Sequence, residues 1–91
     1  MRISYDPAKD VATRKARGFG FDHAALIFLG ATFERPDVRR DYGEVRINAV
    51  GEIEGVIYHV TYTQRGDTRH IISARLASRK ECRLWHSSGK P

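Results

Sequence analysis

From Val56 to Thr63 the side chains alternate, with Val56, Tyr58, Val60 and Tyr62 on one face and Ile57, His59, Thr61 and Thr63 on the other. A period of two held over eight residues fits a strand and is incompatible with a helix. Short connections flank it, Gly51 through Gly55 before and Arg65-Gly66-Asp67 after, and both are rich in turn residues. They join it to two further runs of strand character, Glu44 to Val50 and Thr68 to Arg75. The second half of the chain therefore predicts three antiparallel strands with Val56–Thr63 in the centre. On the last of them Arg69, Ile71, Ser73 and Arg75 are expected to share a face, which spreads two arginines over roughly 20 Å of strand.

The first half reads differently. Arg2 to Tyr5 is a short strand ending at Asp6-Pro7, a helix start with Asp6 as N-cap and Pro7 in the first helical position. The helix runs to about Arg17 and stops at Gly18. After a corner at Phe19 to Phe21, Asp22 is expected to cap a second helix whose apolar residues, Ala24 through Leu29, are dense enough for burial, with Gly30 ending it. Ala31 to Tyr42 is polar and contains Pro36, so it predicts a surface loop. At the other end Ser78 and Glu81 form a capping box ahead of a short helix, Arg79 to about His86. There Arg79, Arg83 and His86 recur on one face, and Leu84 and Trp85 are placed to anchor the helix to the sheet. The expected fold is α+β: a small antiparallel sheet, two N-terminal helices packed on it and a short C-terminal helix, in the order β-α-α-β-β-β-α. At 91 residues this predicts a single domain, 1–91, with a frayed tail at about 87–91.

Charge is distributed unevenly over this frame. Residues 1–64 hold nine basic and nine acidic side chains, whereas residues 65–91 hold seven basic and two acidic, so the whole net charge of +5 lies in the last quarter. Arginine outnumbers lysine 12 to 4. Its planar fork binds phosphate and carboxylate bidentately and stacks on bases, which favours nucleic acid or an acidic protein as partner over a membrane surface. Alternatively, these arginines pair with Asp and Glu neighbours on a solvated face. The single cysteine, Cys82, excludes an internal disulfide, and no apolar run is long enough for a membrane span, so a cytoplasmic location is expected. Four scattered histidines and no Cys-x-x-Cys pairing give no metal motif, and no cofactor fingerprint is present.

The constellation above background is Arg46, Arg65, Arg69, Arg75 and Arg79, with Glu44 and the strand tyrosines. Cleaving RNA through its own 2′-hydroxyl without a metal requires alignment, charge stabilisation at phosphorus and proton transfer. Arginines supply the first two. The proton role is left to Glu44, a lysine, a histidine, a tyrosine or water. The alternative for Glu44 is an ion pair with Arg46, and for Tyr58 and Tyr62 it is core packing.

The chain resembles the BrnT family of type II toxin–antitoxin toxins, small ribonucleases of the RelE-like superfamily. The likeness lies in Tyr5-Asp6-Pro7-Ala8-Lys9, Gly18-Phe19-Gly20-Phe21 leading into Ala24 through Phe28, and Gly43-Glu44-Val45-Arg46. It continues from Tyr62 through Arg75, ending in Ile-Ile-Ser-Ala-Arg, and in Ala77-Ser78-Arg79-Lys80-Glu81. The resemblance implies a RelE-like fold, toxicity by metal-independent RNA cleavage, and neutralisation by a BrnA-like ribbon-helix-helix antitoxin. It further implies that toxin and antitoxin together bind operator DNA and repress their own promoter. By motif it implies Glu44, Arg65, Arg75 and Arg79 as functional positions, expected to be catalytic, with Arg46 and Arg69 as lesser candidates; Arg46, Arg69, Arg83 and Tyr62 are expected to bind substrate. Where the family often has Lys-His before the glycine closing the first helix, this chain has Ala16 and Arg17, so no histidine base is supplied there. A non-catalytic nucleic-acid-binding module is the alternative function, and a purely structural partner of another protein a third.

Overall fold

The computed structural model describes residues 1–39 and 41–88. Its elements are β1 (Arg2–Tyr5), α1 (Pro7–Arg17), α2 (Phe21–Ala24) tightening into a 3-10 segment (Ala25–Leu29), β2 (Phe33–Asp37), β3 (Arg46–Ile53), β4 (Val56–Arg65), β5 (Thr68–Leu76) and α3 (Arg79–Ser87). Five strands form one sheet in the order β1-β5-β4-β3-β2. The class is α+β as expected, with two departures. The stretch expected as a loop contains β2, antiparallel to β3, and β1 lies parallel to β5, so the sheet is mixed. Pro36 obscures β2 in the sequence, yet an edge strand tolerates proline because one side of its backbone needs no partner.

Local chemistry sets the helix ends. Asp6 accepts a hydrogen bond from Ala8 N, and Gly18, at φ 82°, turns the chain out of α1 in the left-handed region. The cap of α2 comes from elsewhere in the chain: Asp10 of α1 accepts from Phe21 N at 2.8 Å. Asp22, expected as this cap, instead receives Arg14, whose guanidinium also binds Asp10. One ion-paired set of side chains thus fixes α2 against α1. The continuous second helix expected to Gly30 lasts a single turn before tightening. The tighter pitch still buries Ala24, Ala25 and Ile27.

β3 begins and ends later than expected. Gly51 is not in the turn but inside β3, where a Cβ would lie 2.6 Å from Ile27 Cβ, so the 3-10 segment packs directly on the strand backbone. The turn itself is Glu54-Gly55, both at positive φ, the backbone a two-residue hairpin needs. The strand β4 is central, as expected, and buried on both faces. Its even-numbered residues Tyr58, Val60 and Tyr62 pack with Phe21, Ala24, Ile27, Ala49, Ile71 and Ala74 under α1 and α2. His59, Thr61 and Thr63 point to the other, open face.

A register shift on β5 alters the arginine geometry. Thr61 pairs with Ser73 while Tyr62 pairs with Ile71, leaving Ile72 as an extra residue in β5. One extra residue exchanges the faces of everything beyond it. Arg69 and Ile71 therefore lie on the helix side, and Ser73 and Arg75 on the open side. The expectation that Arg69 and Arg75 share a face is corrected by this bulge.

The helix α3 closes one end of the open face. The Ser78–Glu81 capping box is present in both directions. Trp85 is 2% exposed and donates Nε1 to Glu52, whereas Leu84, also expected as an anchor, stays 43% exposed. Ser87 belongs to α3 and Ser88 caps it; the rest of the expected frayed tail, 89–91, lies outside the described residues.

Candidate functional site

The open face is a groove of about 600 Å³ with the sheet as floor, α3 as one wall and β2 with the residues after it as the other. Strand register arranges the floor into two lateral rows. The first is Phe33, Val50, His59 and Arg75; the second is Arg35, Asn48, Thr61 and Ser73. Residues within a row are about 4.8 Å apart and the rows are separated by about 6.6 Å along the strands. The walls add Arg39 from one side and Lys80, Glu81 and Trp85 from the other.

Arg75 forms a two-pronged ion pair with Glu81, Nη1 to Oε1 at 2.8 Å and Nη2 to Oε2 at 2.9 Å. The same carboxylate caps α3 and lies 3.7 Å from His59 Nε2. These bonds, Arg75 foremost, hold the Glu81 pKa down at about 2, so it is anionic at neutral pH. Burial first, and Arg75 second, push His59 below its ordinary value, so the imidazole is neutral there. Arg75 is thereby held in place beside a neutral imidazole, and Lys80 adds positive charge alongside. Across the groove Asp37, with a side chain 2% exposed, takes both arms of Arg39 and falls to about 2.

The structure separates the residues singled out in the sequence. Only Arg75 lines the groove. Glu44 and Arg65 pair at 3.0 Å, which lowers the Glu44 pKa, but they sit at the β4–β5 turn end of the sheet, about 20 Å along β4 from the row containing Arg75. Arg46, not Glu44's principal partner, stacks over the Tyr42 ring at 3.9 Å. Arg79 and Arg83 are exposed on α3 and do not line the groove. Tyr62 and Arg69 lie on the opposite side of the sheet: Arg69 sits over Phe28 and Tyr62, and Tyr62 is 3% exposed and bonded to Glu34. Burial, helped by Glu34, raises its phenol to about 12. Tyr62, expected to bind substrate, is packed in the core and does not line the groove.

Sequence reading missed Arg35, Arg39, Asn48 and the second task of Glu81. The capping box concealed the carboxylate's bond to Arg75, and the expected loop concealed Arg35 and Arg39. A signal was present in β4, where His59, Thr61 and Thr63 put three polar side chains on one face of a central strand. That pattern marks a face not closed by an apolar layer. Among the described residues no group of three His, Cys, Asp or Glu side chains is placed to hold a metal ion, and no helix is long and apolar enough to cross a membrane.

The groove brings an arginine, a carboxylate and an imidazole together among further cationic side chains, an arrangement with the chemistry to receive an anion. The profile of the family described as "Ribonuclease toxin, BrnT, of type II toxin-antitoxin system" matches residues 5–81. The chain therefore belongs to the BrnT family of ribonuclease toxins, and membership implies RNA as target and an antitoxin as partner. No curated protein matches the sequence.

Proposed function

We propose that the chain is a metal-independent endoribonuclease toxin whose cleavage site is the open-face groove. The observation carrying this reading is Arg75, fixed by Glu81 beside His59, in a groove that also holds Arg35, Arg39 and Lys80. Arg75 faces the scissile phosphate and stabilises the charge that develops as the 2′-oxygen, giving up its proton, attacks phosphorus and the P–O5′ bond breaks, leaving a 2′,3′-cyclic phosphate and a protonated 5′-hydroxyl. Arg65, held by Glu44, and Arg46 extend the binding track toward the far end of the sheet, and Arg79 and Arg83 extend it over α3. A guanidinium over an aromatic ring is already ordered, so the stacked Arg46 loses little entropy on meeting phosphate. Tyr62 and Arg69 support the opposite face.

The partner in this reading is a BrnA-like ribbon-helix-helix antitoxin whose carboxylates compete with RNA for the groove arginines, and the complex represses its own promoter. Incubating antitoxin-free protein with RNA in excess EDTA tests the activity: fragments ending in 2′,3′-cyclic phosphate are expected. RNA that is bound but intact, with and without translating ribosomes, would favour the binding-module alternative.

A further inference from the structure

We propose that Asn48, Thr61 and Ser73 form a nucleobase subsite that decides which RNA sequence is cut; this rests on the groove being the cleavage site. The groove is chemically divided. Arg75, positioned by Glu81, and Lys80 of the same wall are suited to phosphate, whereas Asn48, Thr61 and Ser73 of the neighbouring row, which ends in Arg35, are uncharged and hydrogen-bonding. Thr61 Oγ1 donates to Asn48 Oδ1 at 2.8 Å, which fixes the amide and leaves its NH2 group for a ligand. Ser73 is exposed, and its hydroxyl has no partner among the described residues.

An unpaired base presents donors and acceptors in one plane and is read along its edge, while its face stacks on an aromatic ring or a guanidinium. The row provides three polar groups in a line about 10 Å long. At its end Arg35 lies over the Phe33 ring, 5.1 Å from the centroid, forming a stacking wall at the groove margin. By these spacings Ser73 lies about 6.6 Å from Arg75 along β5 and Asn48, two strands over, about 12 Å away, so a phosphate at Arg75 places its attached base along this row. A phosphate would gain more in the adjacent row, so what this row adds is discrimination between bases.

The test is cleavage of a random-sequence pool of short single-stranded RNA in EDTA, with the cut ends sequenced, for wild type, Asn48→Ala and Ser73→Ala. We expect wild type to prefer one base at a fixed position beside the cut, and each variant to reduce that preference about tenfold or more, as removing a hydrogen bond that reads the substrate does. The Ser73 hydroxyl bonds to no other group among the described residues, so its variant keeps the fold even where Asn48→Ala does not. Wild-type preference in a folded Ser73→Ala together with a folded Asn48→Asp overturns the subsite. If wild type cuts no RNA, with or without translating ribosomes, the ribonuclease reading falls by itself, and the subsite is judged by affinity for the four homopolymeric oligonucleotides. Discrimination among them that the variants lose supports it; equal affinity of wild type for all four overturns it.

Discussion

The Glu81 carboxylate closes α3, holds both arms of Arg75 and faces His59. Its anionic form is built into the fold, and so is neutral His59, which makes stability depend on pH with a definite sign. His59 binds its proton less readily folded than unfolded, so stability is complete above its unfolded value of about 6.5 and declines as pH falls below that. Glu81 and Asp37, both at about 2, contribute stability that is present above the usual carboxylate range and lost as pH falls from about 4.5 toward 2. We predict a urea midpoint that falls in two stages on acidification. His59→Gln should remove the first stage and Glu81→Gln should reduce the second; a midpoint unchanged between pH 7 and 5 in the wild type would contradict the assignment to His59.

At the scale of elements, Asp10 and Gly51 determine how the helical layer meets the sheet. Asp10→Ala leaves buried Phe21 N without its partner and Arg14 with Asp22 alone, whereas Asp22→Ala removes only exposed bonds, to Arg14 and His23 N. Asp10→Ala should therefore lower the urea midpoint several-fold more than Asp22→Ala. Gly51→Ala forces a methyl against Ile27 and should cost about 1–3 kcal/mol, while Gly30→Ala, with nothing within 4 Å, should be near neutral. Thermal melts of the two alanine variants check this directly. The sequence made α1, β4, β5 and the α3 capping box readable, because Asp6-Pro7, Gly18, the Val56–Thr63 alternation and Ser78–Glu81 are local signals. It did not reveal the α2 cap, since Asp10 lies eleven residues away, nor the bulge, since the extra residue Ile72 continues an apolar run. The groove was invisible for the same reason: residues from β2, β3, β4, β5 and α3 meet there only through register.

Across the whole molecule the two sides of the sheet have divided labour. One side buries the core under α1 and α2, and the other keeps a polar floor with Arg75 fixed at one end. In the proposed function the exposed arginines of α3 serve affinity, and Arg75 serves chemistry. Replacing Arg79 and Arg83 together should weaken RNA binding and reduce its salt dependence, by about 0.7 in log–log slope for each phosphate no longer neutralised, as titrations at several salt concentrations would read. The most direct measurement is single-turnover cleavage of a labelled RNA in excess EDTA by wild type, Arg75→Ala and the Arg79→Ala, Arg83→Ala pair, each with its fold verified. With cleavage in the groove, Arg75→Ala loses about 10²-fold or more in rate at saturating RNA, while the pair loses mainly affinity. A wild-type rate in folded Arg75→Ala would contradict cleavage at the groove.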